Sequence, residues 1–117
     1  MRKVITTAIC SLGLLLMVGS GIASAEEVDG MDLYKANCKV CHAADSPSGE
    51  YTPMSLIKVQ WERFFKRKYE KKHADLEFPD KGGKKVLEVI TPEMLETIKA
   101  FSIDHAADSE HPMTCGK

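Results

Sequence analysis

Cys38, Cys41 and His42 stand in the run Cys38-Lys39-Val40-Cys41-His42, a C-x-x-C-H pattern. On one turn of helix, two thiols at this spacing reach the two vinyl groups of a haem and form thioethers. The adjacent imidazole then comes under the iron as its proximal ligand. Three other chemistries use the same residues. Half of a zinc site would need a second ligand pair, and the sequence holds no second C-x-x-C. A thioredoxin-like redox pair would lie in a βαβ pattern, and no strand-like alternation of period two persists anywhere. A plain disulfide would close a loop of only two intervening residues. The complete motif, His included, favours covalent attachment of one haem c.

The beginning of the chain supports that choice through its compartment. Arg2 and Lys3 precede a charge-free, mostly apolar stretch from Val4 to Ile22, and Ala23-Ser24-Ala25 supplies small residues at the cleavage pattern A-x-A. Residues 1–25 are therefore expected to be a secretory signal peptide, cleaved after Ala25, rather than a retained membrane anchor. Cys10 lies too early in the apolar run to be a lipidation site. Export to the periplasm, or to an equivalent space, is where covalent haem attachment takes place. Residues 26–117 then form one domain, with fourteen Lys or Arg against seventeen Asp or Glu and a net charge of −3. That balance excludes a general nucleic-acid binder, which needs a basic excess to neutralise phosphates. So short a chain has limited apolar area to bury, and a bound cofactor is one common remedy.

The elements that would position the motif are helical. Leu33, Tyr34 and Ala36 lead into the C-x-x-C-H run as a short helix, and residues 45–50 form a loop of turn formers. Ile57, Trp61, Phe64, Phe65 and Tyr69 recur at helical spacing and make an aromatic face, expected to pack in the core against the cofactor's edge. Lys58, Arg63, Lys66, Arg67, Lys68, Lys71 and Lys72 cover the rest, and this basic face reads as solvated surface rather than a docking site. Residues 80–84 break the pattern. Thr91-Pro92-Glu93 then starts a last helix with an N-cap hydroxyl, Pro at the first helical position and an acid behind it. That helix should run to about Ala106, with Ile90 and Leu95 as a hydrophobic staple. Residues 108–117 read as an irregular polar tail.

A short helix ending in C-x-x-C-H, a loop, a middle helix and a C-terminal helix together resemble the small class I c-type cytochromes over roughly residues 30–107. The resemblance implies an all-α domain wrapped around one covalent haem. It also implies that Gly30 and Tyr34 on the first helix meet Leu95 and Phe101 on the last, and that the Pro53 carbonyl accepts a hydrogen bond from the His42 ring. One departure stands out. The distal ligand of that family is usually a Met in the loop before the last helix, and here that loop, residues 74–90, contains no Met.

Six residues could take the sixth position: His73, Met54, Met94, Met113, His105 and His111. Met54 sits beside the Pro expected on the proximal side, and Met94 lies on the apolar stripe of the last helix, where core packing suits it. His105 is near that helix's C-terminus, where interaction with the helix dipole suits it, and His111 and Met113 belong to the tail. His73 follows the aromatic helix directly and opens the Met-free loop. It is the expected distal ligand, with Met113 next.

No acid, base or nucleophile constellation accompanies the motif, so no catalytic residue is assigned. The chain is expected to be an electron carrier rather than an enzyme, a monomer meeting redox proteins at an exposed haem edge, with its basic helix and acidic remainder steering the encounter. The competing functions are a haem protein with an open sixth position that binds small ligands or reacts with peroxide, and a haem-bearing subunit of a larger complex. Cys115 is left over once Cys38 and Cys41 hold the haem. It reads as a spectator thiol rather than half of an intermolecular disulfide, since Lys117 is the only cation near it in sequence.

Overall fold

The computed structural model describes residues 29–113; the stretch expected to be a signal peptide, Cys10 and Cys115 lie outside them. Helix α1 (Gly30–Leu33) begins at Asp29, whose side chain accepts from the Met31 N–H at 3.1 Å. It runs without interruption through a π turn (Tyr34–Cys38) into α2 (Lys39–His42). The rod stops where Ala43 becomes extended and Asp45 takes a left-handed φ of 62°. After a 3-10 turn (Pro53–Ser55) come α3 (Lys58–Arg67) and α4 (Tyr69–His73), separated at Lys68, whose φ of −119° departs from helical values. The last elements are α5 (Val86–Val89) and α6 (Pro92–Asp104). Among the described residues there is no strand, only one antiparallel bridge between Glu77 and Lys85, and the fold is all-α. No helix among them is long and apolar enough to cross a membrane.

Helix α6 starts as its residue types dictate: Thr91 Oγ1 accepts from the Met94 N–H at 3.3 Å and Pro92 occupies the first turn. It ends at Asp104, two residues before Ala106, although Ala106 is fully buried. Ile57 is not part of the aromatic face. It is the N-cap of α3 and 38 % exposed, and lacking a side-chain oxygen it leaves that helix end to be capped from elsewhere. Asp108, from beyond α6, does so: its carboxylate accepts from the Lys58 N–H at 2.8 Å, placing an anion at the positive end of α3. Beside it the Ala107 N–H donates to the Leu56 carbonyl, and farther on the Met113 N–H donates to that of His105. Residues 108–113 are irregular, as expected, but tied back onto the helices.

Two apolar groups hold the helices together. Phe78, Val86, Ile90 and Ile98 form a buried cluster, with Leu95 and Met94 against it. Trp61, Phe64, Phe65 and Tyr69 make a continuous aromatic set with neighbouring ring centroids 5.4 to 6.4 Å apart. The rod crosses α6 at Gly30, where a Cβ would stand 2.6 Å from Phe101 Cβ and 3.1 Å from the Thr97 carbonyl. Tyr34 then packs on Phe101 at 5.9 Å. Leu95 packs against the Phe78 cluster, as Leu33 of α1 does.

Gly30→Ala separates helix propensity from packing. Propensity alone would stabilise α1 by about 1 kcal/mol, whereas forcing a methyl into this crossing costs about 1–3 kcal/mol. A lower midpoint in denaturant unfolding is expected, and a higher one would show that the crossing has room.

Candidate functional site

Cys38, Cys41 and His42 lie on the wall of a cavity of about 660 Å³, within the range of sites that hold cofactors. The π turn ahead of Cys41, with Asn37 bonding back to the Leu33 carbonyl at 2.9 Å, forms one side. Trp61, Phe64, Phe65 and Tyr69 form another, and Phe78, Val86, Ile90, Leu95 and Ile98 close it. His73, at the end of α4, lies on the same wall.

Each imidazole is held by its Nδ1. His42 Nδ1 faces the Gly49 carbonyl at 3.0 Å, and His73 Nδ1 faces the Tyr69 carbonyl at 2.7 Å, one helical turn back. A carbonyl accepts only from a protonated Nδ1, which leaves Nε2 of each neutral ring with a free lone pair. Tyr51 packs edge-on against His42 at 5.1 Å, while Tyr69 stacks on His73 at 4.7 Å. Burial, and then the nearby His42, push the His73 pKa down, while the Tyr69 carbonyl pulls it up; the net direction favours the neutral ring that can ligate.

The two ring centroids stand 6.3 Å apart with their planes at 78°. A metal–imidazole bond of about 2 Å, added to about 1.1 Å from ring atom to ring centre and doubled, gives about 6.2 Å for two rings that share one ion in line. The spacing fits a single metal ion between His42 and His73. Two imidazoles fill only two coordination positions, so a further group would have to supply the rest; a haem is one such group, and Cys38 and Cys41 line the same cavity. Tyr69 Oη, on this wall, is buried with no hydrogen-bond partner, as at a surface shaped for something besides protein.

Neither thiol is tuned as a reactive thiolate. Burial, aided by the nearby Cys41, pushes the Cys38 thiol up to about 12, and burial also raises Cys41, with Asp80 adding to the rise and Lys81 opposing it. A redox-active C-x-x-C instead lowers its attacking thiol. The loop over this edge is fixed by Lys81, whose ammonium donates to the Ala36 carbonyl at 3.0 Å and lies 4.3 Å over the Phe78 ring.

Of the six candidates for the sixth position, His73 alone lines the cavity. Met54 is exposed on the 3-10 turn, Met94 packs against the Phe78 cluster, and His105 stacks on Phe101 while its Nδ1 faces the His111 carbonyl at 2.8 Å. Met113 is anchored at the His105 carbonyl, away from the wall. His105 and His111 have a spacing that also suits zinc, but they do not join Cys38 and Cys41.

The expected partner of the His42 ring is corrected. The Pro53 carbonyl is taken by Trp61 Nε1 at 2.8 Å, in a bond buried on both sides, and the Gly49 carbonyl serves His42 instead. Gly49 has a φ of +82°, a conformation suited to glycine, so the residue type and the carbonyl's position go together. A Gly seven residues after the His was the available signal in the sequence.

Trp61→Phe tests the correction. Leaving the buried Pro53 carbonyl unpaired should cost about 1–3 kcal/mol in denaturant unfolding, while a spectrum sensitive to the His42 ring stays unchanged. A spectral shift without a stability loss would return Pro53 to His42.

Comparison with protein-family models, with curated proteins and with solved structures finds no match to this chain.

Proposed function

We propose that the chain is an exported monohaem c-type cytochrome that carries electrons between redox proteins, with His42 and His73 as its two axial ligands. The observation that carries this reading is the 6.3 Å separation of the two imidazoles across a cavity whose wall also bears Cys38 and Cys41. When bound, a haem supplies one-electron Fe(III)/Fe(II) chemistry. The protein's part is to bind, orient and shield. Cys38 and Cys41 anchor one edge, and the Gly49 and Tyr69 carbonyls fix the two rings in the tautomer that presents Nε2. Such contacts hold the ligands in place through a change of oxidation state, which suits electron transfer. The aromatic set and the Phe78 cluster keep water from the interior. Partners would meet the protein as a monomer at the exposed edge of the cavity.

The exported, matured protein should keep one covalently added haem under denaturing mass spectrometry, and Cys38→Ala/Cys41→Ala should abolish the addition. A haem-free mass from correctly matured protein would overturn the reading.

The ligand pair has a separate signature. Imidazole planes near 78° donate into different iron d orbitals and leave them nearly degenerate, so the oxidised protein should show a strongly anisotropic low-spin electron paramagnetic resonance signal. Reduced wild type should not bind carbon monoxide and His73→Ala should. A methionine–iron charge-transfer band in the near infrared would exclude His73 as the sixth ligand.

A further inference from the structure

We propose that Tyr34 is a positioning residue for His42: its hydroxyl holds the loop that carries the Gly49 carbonyl, and through that carbonyl it fixes the proximal ring. The inference rests on the electron-carrier reading and adds to it a residue that sets the strength of the proximal ligand. The loop after α2 folds back on His42 twice. The Gly49 carbonyl faces the ring's Nδ1 at 3.0 Å, and the Tyr51 N–H donates to the His42 carbonyl at 3.2 Å. The Tyr51 ring also packs edge-on against the imidazole, 5.1 Å between centroids. Within the loop the Ser46 hydroxyl donates to the Cys41 carbonyl, and the Gly49 N–H donates to the Ser46 carbonyl at 2.9 Å. These bonds are local: among the described residues, the hydrogen bonds of residues 43–52 reach no farther along the chain than from Tyr51 to His42, with one exception. That exception is the Tyr34 hydroxyl, which donates to the Tyr51 carbonyl at 2.6 Å across 17 positions of sequence.

Tyr34 is placed to transmit position from the rest of the fold. Its ring is buried and packs on Phe101 at 5.9 Å, one helical turn beyond the Gly30 crossing with α6. Burial first, then the nearby Cys38 and Glu50, push its pKa up to about 12, so the hydroxyl stays a donor across the neutral range. Position therefore passes from α6 to the Tyr34 ring, from its hydroxyl to the Tyr51 carbonyl, and along two residues of loop to Gly49. Gly49 stands at a φ of +82°, in the left-handed region, and a tether from outside the loop helps to keep the carbonyl aimed there. A carbonyl held at Nδ1 raises the basicity of the imidazole as a ligand. A more basic ligand favours oxidised iron, so this tether lowers the potential.

The test uses the matured, haem-loaded protein. Tyr34→Phe keeps a ring on Phe101 and removes only the hydroxyl. Its potential should rise, and the His42 Nδ1 proton, followed by nuclear magnetic resonance, should exchange with water about fivefold faster, as the net worth of one hydrogen bond implies. Gly49→Ala strains the loop at the acceptor itself and should also raise the potential. In the double variant the two shifts should not add, because both act through the same bond. A Tyr34→Phe protein that loses stability while keeping the wild-type potential and proton exchange has lost packing alone, and overturns the proposal. Additive shifts overturn it as well, since they give the two residues separate routes to the iron. A chain that matures without haem defeats the electron-carrier reading, and the tether is then read directly from the His42 ring nitrogens of that chain. Wild type should be protonated at Nδ1 and Tyr34→Phe mixed between tautomers; equal tautomer populations in the two would again overturn the proposal.

Discussion

Two imidazoles stand 6.3 Å apart at the cavity because tertiary contacts hold the short helices that carry them. His42 ends the rod made by α1, the π turn and α2, and His73 ends α4, thirty-one residues later. Neither short helix could hold its ring alone, because isolated helices of four or five residues are not stable in water. Their positions come from long-range contacts: the Gly30–Phe101 crossing anchors the rod to α6, Asp108 caps α3 from beyond α6, and Lys81 ties the distal loop to the Ala36 carbonyl. Helix α6 therefore serves as the frame to which both halves of the site are attached. Its own length, thirteen residues with a hydroxyl cap and Pro in the first turn, makes it the best-defined element of the chain.

Packing in so small a protein is divided by the site rather than gathered in one core. The Phe78 cluster lies on one side of the cavity and the aromatic set of α3 and α4 on the other, and residues of both line it. An occupant that touched both would add its own apolar area to theirs. A bound group is one way a small domain supplements a limited interior. The break at Lys68 belongs to the same arrangement. It lets Tyr69 and His73 stack through a helix of their own, with the His73 ring bonded back to Tyr69, while Trp61 and Phe65 keep their places on α3.

The helices, and the placing of Cys38, Cys41 and His42 together on one turn, were legible in the residues because their signals are local. C-x-x-C-H, the Thr91-Pro92 start and the aromatic spacing of the middle helix each act within a turn or two of chain. The Gly30 crossing and its Phe101 and Tyr34 partners were also legible, whereas the close approach of the Thr97 carbonyl was not. What was missed is tertiary or depends on a backbone angle. That the Gly49 carbonyl and not that of Pro53 receives His42 follows from a left-handed glycine in a loop, and Pro53 is claimed by an indole eight residues away. Asp108 looked like part of a polar tail, because a cap fifty residues distant in sequence leaves no periodic trace. Spacing alone also could not set His73 apart from five other candidates; it is the one of the six that lines the cavity.

The distribution of charge links the site's interior to its surface. Inside, the structure favours neutral groups: the His73 pKa is pushed down, and the Cys38 and Tyr69 groups are each raised to about 12, with burial the first cause in every case. Cations are kept to the rim, where water and partners can reach them. Under the proposed reading, these features oppose the ligand set. Two imidazoles lack the thioether that raises a haem potential, whereas a buried, neutral pocket beneath a positive rim disfavours the extra positive charge of the oxidised iron. The potential would then be set by the difference between these effects, and the rim's share of it would be the part that salt screens.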